Sequence, residues 1–181
     1  MPLPRVKNDY YPSPDKLIRA WLATDTLLST RDTILECCDG KGAISNMLRD
    51  SGHIVESTDI TDGAGYDATT DEYWVDRSPD WVITNPPFNV ATPIITHALA
   101  ACKMGVVMIL RASYLEPCKD RRHLLDNRIS QVSYVNPRPR FRADTKGSDS
   151  STVVFITWLK DKTEPTQEIK YLCDWNRWHI G

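Results

Sequence analysis

The chain has 181 residues, and its content of 41% hydrophobic and 25% charged residues is typical of one folded domain rather than of a disordered or fibrous chain. A formal net charge of -2 excludes a protein that binds nucleic acid over its whole surface, although it leaves room for one local basic patch. The apolar runs are too short to span a bilayer and the five cysteines form no Cys-x-x-Cys pair, so we expect a cytoplasmic protein without a metal site.

The first predicted element is an amphipathic helix over residues 15–23. Its apolar residues recur at helical spacing and are Leu17, Ile18, Trp21 and Leu22. Ser13 is of a residue type that caps helices, and Pro14 suits a first helical turn. We therefore expect a turn over residues 9–14 that leads into this helix.

A short buried strand is predicted at Thr33-Ile34-Leu35, followed by the turn Glu-Cys-Cys-Asp-Gly-Lys-Gly at residues 36–42. Helical periodicity resumes at Ala43. A strand, a glycine turn and a helix form the first half of a nucleotide-binding α/β unit, because glycine lets the backbone approach a ligand closely. Ser45 replaces the third glycine of a dinucleotide fingerprint and there is no P-loop, so NAD and ATP sites are disfavoured.

The next strand is predicted at residues 53–59, and it ends in the carboxylate of Asp59. An acid at the tip of the second strand can accept hydrogen bonds from both ribose hydroxyls, so we interpret Asp59 as a ribose ligand, with a helix cap or a solvated loop acid as the alternative. Asp67 can reach an adenine edge if a third strand begins near it.

Three further elements alternate along the middle of the chain, followed by a short polar helix. We predict strands at residues 81–84 and 106–110, a helix at 93–101 and part of a polar helix at 121–125. This alternation predicts a mostly parallel sheet with its site at the carboxyl ends of the strands, where Glu36, Asp59 and Asn85 fall.

The loop Asn85-Pro86-Pro87-Phe88 directly follows one of these strands. Its two prolines have no N–H donor, so the local backbone offers carbonyl acceptors only. The Asn85 side-chain oxygen and the Pro86 carbonyl could each accept one hydrogen of an exocyclic nucleobase amine while Phe88 stacks on the ring. A structural turn capped by an aromatic residue is the alternative interpretation.

The last third of the chain predicts two antiparallel strands, at residues 131–135 and 152–159, joined by a long loop. Residues 136–147 of this loop carry four cations and one acid, a net charge of +3 (4 - 1), around Phe141. We interpret the loop as a phosphate-contacting surface, with an ordinary solvated loop as the alternative. Residues from 161 onward are interpreted as a tail in which Trp175 and Trp178 could dock on the core.

Together these segments resemble the class I S-adenosylmethionine-dependent methyltransferases, in particular the small DNA adenine-N6 methyltransferases of phages and prophages. The resemblance covers roughly residues 10–159. The segments that carry it are Tyr11-Pro12-Ser13-Pro14, the turn from Glu36 to Gly42, Asp59, Asp67, Asn85-Pro86-Pro87-Phe88 and Arg138-Pro139-Arg140-Phe141. Cys37 stands where a proline is common in that family, and Asp39 where a small residue is common.

The resemblance implies a Rossmann-like, mostly parallel seven-stranded sheet with an antiparallel last strand and helices on both faces. It implies a methyltransferase domain over residues 1–160, a tail over 161–181 and S-adenosylmethionine as the cofactor. The implied cofactor-binding residues are Tyr11, Pro12, Ser13, Glu36, Cys37, Gly40, Gly42, Asp59, Ile60, Asp67 and Asn85. The implied catalytic residues are Asn85, Pro86, Pro87 and Phe88, and the implied substrate-binding residues are Phe88, Arg138, Arg140, Phe141, Arg142 and Lys146.

The activity implied by the resemblance is methylation of the N6 amine of adenine in DNA, with the target base flipped into the Asn-Pro-Pro-Phe pocket. The alternatives are a protein glutamine-N5 or RNA base methyltransferase and a non-catalytic nucleic-acid-binding domain. No separate target-recognition domain is evident. The enzyme is then either promiscuous, specific for a short sequence or dependent on a protein partner, and it acts in the host cytoplasm if a phage encodes it.

Overall fold

The computed structural model describes residues 13–63, 65–125, 129–139, 151–161 and 167–177. The strands are β1 (Thr33–Glu36), β2 (Ile54–Ser57), β3 (Trp81–Thr84), β4 (Gly105–Arg111), β5 (Ile129–Asn136), β6 (Val153–Leu159) and β7 (Glu168–Cys173). The helices are α1 (Asp15–Thr24), α2 (Ala43–Asp50), α3 (Asp71–Trp74), α4 (Ala91–Ala101) and α5 (Arg122–Leu125). None of the described helices is long and apolar enough to cross a lipid bilayer.

The seven strands form one mixed sheet in the order β2-β1-β3-β4-β6-β5-β7. β1 is parallel to β2 and β3, and β3 is parallel to β4. β6 lies between β4 and β5 and is antiparallel to both. The predicted sheet, its antiparallel strand and the predicted pairing of β5 with β6 are confirmed.

Helices cover both faces of the sheet, as predicted. α1 and α2 pack in one hydrophobic cluster with residues of β1, β3, β4, β5, β6 and β7. α3, α4 and α5 contribute to a second cluster, which contains residues of β1, β3, β4, β5 and β6. Since each central strand contributes side chains to both clusters, these strands read in the sequence as continuous apolar runs.

The edge strand β2 is shorter than the predicted strand over residues 53–59. Its four residues are alternately exposed and partly buried, which is the pattern of an edge strand covered on one face. Asp59 and the residue before it lie beyond the strand, and Asp59 begins a 3-10 turn over Ile60–Asp62. Asp59 therefore lies in the loop that leaves the carboxyl end of β2.

The described residues between β2 and β3 contain no strand, so the condition set for Asp67, a third strand that begins near it, is not met. The chain instead forms the 3-10 turn and α3, and β2 remains an edge of the sheet. Tyr73 and Trp74 of α3 are buried against the core, and the Tyr73 hydroxyl lies 2.5 Å from Thr58 Oγ1. Burial of these rings accounts for a helix at this position rather than a further strand.

Residues that we interpreted as a tail contribute a strand to the sheet, which corrects that interpretation. β7 pairs in parallel with β5 over six residues, from Gln131↔Glu168 to Asn136↔Cys173. Trp175 is buried, and its Nε1 donates a 2.6 Å hydrogen bond to the Pro137 carbonyl, so its predicted docking is confirmed. Trp178 lies outside the described residues.

Candidate functional site

A cleft of about 400 Å³ opens at the carboxyl ends of β1, β2 and β3. This is the edge of the sheet at which ligands of open α/β folds bind. It is lined by the turn after β1, the loop after β2, residues 66–69 and the loop after β3, together with Ser13 and residues of α2 and α4. The sequence-predicted residues among its lining are Ser13, Glu36, Cys37, Gly40, Asp59, Ile60, Asp67, Asn85 and Pro87.

Glu36, the last residue of β1, is fully buried at the base of the cleft. Its Oε1 accepts a 2.9 Å hydrogen bond from the Cys38 N–H and a short one from the Thr84 hydroxyl. Its Oε2 is buried and has no hydrogen-bond partner among the described residues. Burial raises the pKa of the Glu36 carboxyl well above its usual range. The cleft thus contains a polar atom that a ligand can satisfy.

The glycine turn after β1 adopts the conformation that its residues predict. Gly40 and Gly42 have φ of 58° and 81°, values that favour glycine. At Gly42 a Cβ would lie 2.6 Å from Nδ2 of Asn46, so the turn passes close to α2. Gly40 and Lys41 of this turn line the cleft, and at Gly40 no side chain stands between the backbone and a ligand.

Asp59 joins this turn to the loop after β2. Its Oδ2 accepts a 2.9 Å hydrogen bond from the Gly40 N–H. Its Oδ1 accepts from the N–H and the hydroxyl of Thr61, at 2.9 and 2.7 Å, and so caps the 3-10 turn. The alternative interpretation of Asp59 as a cap is therefore correct, and the same carboxylate also lines the cleft beside the exposed Ile60.

Asp67 lines the cleft and is held by Thr69. Its Oδ1 accepts hydrogen bonds from the Thr69 hydroxyl at 2.7 Å and from the Thr69 N–H at 2.9 Å. These two bonds, the hydroxyl first, lower the pKa of the Asp67 carboxyl. The carboxylate is consequently ionised at neutral pH and keeps a fixed orientation at the cleft.

The loop after β3 contributes every second residue to the cleft. Asn85 and Pro87 line it, Pro86 is buried, and Phe88 lies beyond the cleft lining and packs against the hydrophobic cluster around α4. The Arg111 guanidinium lies over the Phe88 ring, with Cζ 4.7 Å from the ring centroid. The loop therefore provides an aromatic residue, Phe88, that is not part of the cleft lining.

Ser13 contacts the Asn-Pro-Pro-Phe loop instead of capping α1, which corrects our expectation. The N-cap of α1 is Pro14, without a side-chain cap, so Pro14 does not occupy the first turn. The buried Ser13 hydroxyl accepts a 3.2 Å hydrogen bond from Asn85 Nδ2. Through this bond the segment before α1 contacts the loop after β3 at the cleft.

Sequence reasoning missed Thr84 and Arg111. Both are polar residues at the carboxyl end of an otherwise apolar strand, and that position was the available signal. Of the other predicted residues, Cys37 is buried and Arg138 is exposed just after β5. Tyr11, Pro12, Arg140, Phe141, Arg142 and Lys146 lie outside the described residues.

No protein-family model matches the sequence, and no curated protein matches it. Solved structures do match. The methyltransferase subunit of a type I restriction-modification system from Streptococcus thermophilus is 14% identical, with a TM-score of 0.63 over 94% of this chain and 49% of that one. The M protein of the type I restriction enzyme EcoKI is 12% identical, with a TM-score of 0.57 over 89% of this chain and 48% of that one.

A proposed RNA methyltransferase from Pyrococcus horikoshii is 14% identical, with a TM-score of 0.55 over 87% of this chain and 91% of that one. This chain spans about half the length of the two type I subunits. At these identities the similarities establish the fold. The chain has the Rossmann-like fold of the class I S-adenosylmethionine-dependent methyltransferases.

Proposed function

We propose that this protein transfers a methyl group from S-adenosylmethionine to the N6 amine of adenine in DNA. The observation that carries the proposal is the position of the Asn85-Pro86-Pro87-Phe88 loop. It leaves the carboxyl end of β3 and places Asn85 and Pro87 on the cleft, whereas Phe88 of the same loop does not line it. One loop thus contributes both to the proposed cofactor site and to an aromatic position for an acceptor base.

The residues of the cleft fit S-adenosylmethionine. Three carboxylates line the cleft against one lysine, and they are Asp39, Asp59 and Asp67, with the buried Glu36 carboxyl beside them. This excess of negative charge favours a ligand with a sulfonium and an ammonium group. The unpartnered Oε2 of Glu36 and the glycine backbone at Gly40 suit the amino-acid end of the ligand, Asp59 its ribose, and Asp67 with Ile60 its adenine. When bound, S-adenosylmethionine supplies a methyl group on a positively charged sulfur.

The loop after β3 would hold the acceptor amine. Asn85 donates through Nδ2 to Ser13, so Oδ1 is the acceptor end of its side chain. This oxygen and the Pro86 carbonyl accept the two hydrogens of the amine. An adenine amine is a weak nucleophile because its lone pair is delocalised into the ring, and two preorganised acceptors localise that pair on nitrogen. No base has to remove a proton beforehand.

Phe88 would receive the target base. An adenine cannot reach this loop from inside a duplex and must leave the stack, at a cost of a few kcal/mol. Base stacking on an aromatic ring returns about 1 to 3 kcal/mol. The partly buried Phe88 ring, packed on the α4 cluster, is held in place for that contact.

DNA is favoured as the acceptor because structures from type I restriction-modification systems are among those with the same fold. RNA is the second candidate. The proposed RNA methyltransferase from Pyrococcus horikoshii is matched over most of both chains, whereas the type I subunits are matched over about half of their length.

Incubation with tritiated S-adenosylmethionine and DNA, RNA or a protein extract in parallel tests the proposal. Label in DNA supports it, and label in RNA alone transfers the activity to the second candidate. Label in protein alone, or no label above that of Asn85→Ala in any acceptor, would refute it. Asn89→Ala is the matched control, since Asn89 is an exposed asparagine of the same loop.

A further inference from the structure

Arg111 ends β4, next to the strand that carries the Asn-Pro-Pro-Phe loop. Arg111 is partly buried, and its guanidinium lies over the Phe88 ring, with Cζ 4.7 Å from the centroid. A guanidinium over an aromatic face is attracted to the ring quadrupole. The residue thus combines a positive charge with the aromatic position proposed for the acceptor.

Among the described residues, no carboxylate lies within ion-pair distance of the Arg111 guanidinium, and none accepts a hydrogen bond from its N–H groups. Other described cations near the sheet have partners. Arg77 pairs with Glu56, Lys103 with Asp80, and Arg121 donates to the carbonyls of Ser113 and Tyr114. A guanidinium has five N–H donors. In a partly buried arginine without an anion, these donors can still bind one.

The position of Arg111 is fixed by the surrounding structure. The residue pairs with Val153 in β6, which holds its backbone in the sheet. The 3-10 turn that follows it, Ala112–Leu115, contacts the start of α4 through the Tyr114 hydroxyl, 3.1 Å from Thr92 Oγ1. The end of β4 and the turn after it are therefore held at two points, Tyr114 against the start of α4 and Arg111 against Phe88 of the loop after β3.

We propose that Arg111 binds a backbone phosphate adjacent to the target nucleotide while its guanidinium stays on Phe88. The planar fork of N–H donors matches two phosphate oxygens, which a lysine at the same place would not reproduce. The inference rests on the proposed nucleic-acid substrate and deepens it. A glutamine side chain as the acceptor carries no phosphate, so Arg111 would have no such role there.

The test measures binding of the nucleic acid that the parent protein methylates, as a series in which one phosphate at a time is replaced by an uncharged methylphosphonate. Replacement of the phosphate next to the target adenine is expected to weaken binding by the parent about tenfold. This is the scale of one charge-assisted hydrogen bond. Arg111→Gln should bind the unmodified strand about tenfold more weakly and lose nothing further at that position. Arg31→Gln, which removes a charge before β1 at the opposite edge of the sheet, should behave like the parent.

Two further readouts separate phosphate binding from a structural role. Arg111→Gln should reduce the slope of log affinity against log salt by about 0.7 to 0.9, the effect of one phosphate contact. Arg111→Lys should keep that slope but weaken the binding, because the planar stack and the fork are lost. If Arg111→Gln does not fold, as judged by circular dichroism, the lysine variant is tested against the same strands and should show a smaller loss at that position.

Equal methylphosphonate effects in the parent and in the Arg111 variants at every position would overturn the inference. The proposed function would remain intact, since methylation of the unmodified strand is measured in the same samples. Failure of the parent to methylate any nucleic acid would instead refute the proposed function.

Discussion

Asn85 Nδ2 donates a hydrogen bond of 3.2 Å to Ser13 Oγ, across 72 residues of sequence. The bond connects the segment before α1 to the loop after β3 and orients the Asn85 amide, whose Oδ1 is the acceptor. Because Ser13 also lines the cleft, the proposed cofactor and acceptor positions share one hydrogen bond.

Asn85→Ala should lower turnover by about 2.7 to 4 kcal/mol of transition-state stabilisation and leave cofactor affinity nearly unchanged. Ser13→Ala removes only the partner that orients the Asn85 amide, and a smaller loss of about 1 kcal/mol is expected. Turnover is measured by label transfer and cofactor affinity by calorimetry, with Asn89→Ala as the control. Parental turnover in Asn85→Ala would exclude Asn85 as the amine acceptor.

Asp59 combines two contacts that substitutions can separate. Asp59→Ala removes the cap of the 3-10 turn and the bond to the Gly40 N–H, so the fold should lose about 1 kcal/mol and cofactor binding about 2 kcal/mol. Asp59→Asn retains one oxygen acceptor and should lose less of both. Denaturant unfolding and calorimetry measure the two losses, with the exposed Asp50→Asn as the control. Unchanged cofactor affinity in Asp59→Ala would leave Asp59 a purely structural residue.

Glu36 should make the stability of the ligand-free protein depend on pH. Burial raises its folded-state pKa above the ordinary value of a glutamate, so the contribution of the neutral form to stability is fully present below the unfolded-state pKa. Stability is then lost as the pH rises towards the folded-state pKa, with a slope of up to about 1.4 kcal/mol per pH unit. Glu36→Gln cannot ionise and should gain stability over the parent as the pH rises.

Urea unfolding at several pH values between 4 and 8 measures this difference. The exposed Glu72→Gln on α3 is the control and should follow the parent at each pH. A constant difference between Glu36→Gln and the parent across the series would show that Glu36 does not titrate in this window.

Gly105 is the first residue of β4, where two buried tryptophans leave no space for a side chain. A Cβ there would lie 2.5 Å from the Trp158 carbonyl oxygen and 2.6 Å from Trp81 Cζ3. Gly105→Ala should therefore destabilise the fold by about 1 to 3 kcal/mol, the usual effect of overpacking. Chemical denaturation measures it, and a variant as stable as the parent would show that β4 and β6 can separate at this point without cost.

The central sheet could be predicted from the sequence because its strands are buried on both faces. β3 was predicted with its observed bounds, since Trp81–Thr84 is an uninterrupted buried run that ends at two prolines. The glycine turn and the Asn-Pro-Pro-Phe loop were predicted because their residue types determine their local conformation. Cleft positions followed from the rule that such loops meet at one edge of the sheet.

The remaining features depend on contacts between distant segments. In β7, which joins the sheet by pairing with β5, only Leu172 is buried, so the strand has no clear apolar alternation. Two contacts also have no pattern in the local sequence that predicts them. They are the bond between Ser13 and Asn85 and the contact of Arg111 with Phe88. Asp59 shows a further limit of local reasoning, because a cap and a ligand require the same carboxylate at the same place.

The most direct test of the central claim identifies the methylated product. DNA incubated with the protein and S-adenosylmethionine is digested to nucleosides and analysed by mass spectrometry, with Asn85→Ala in parallel. We predict N6-methyldeoxyadenosine with the parent and Asn89→Ala, and about a hundredfold less with Asn85→Ala. The absence of N6-methyldeoxyadenosine from the parent reaction, or an equal yield from Asn85→Ala, would contradict it.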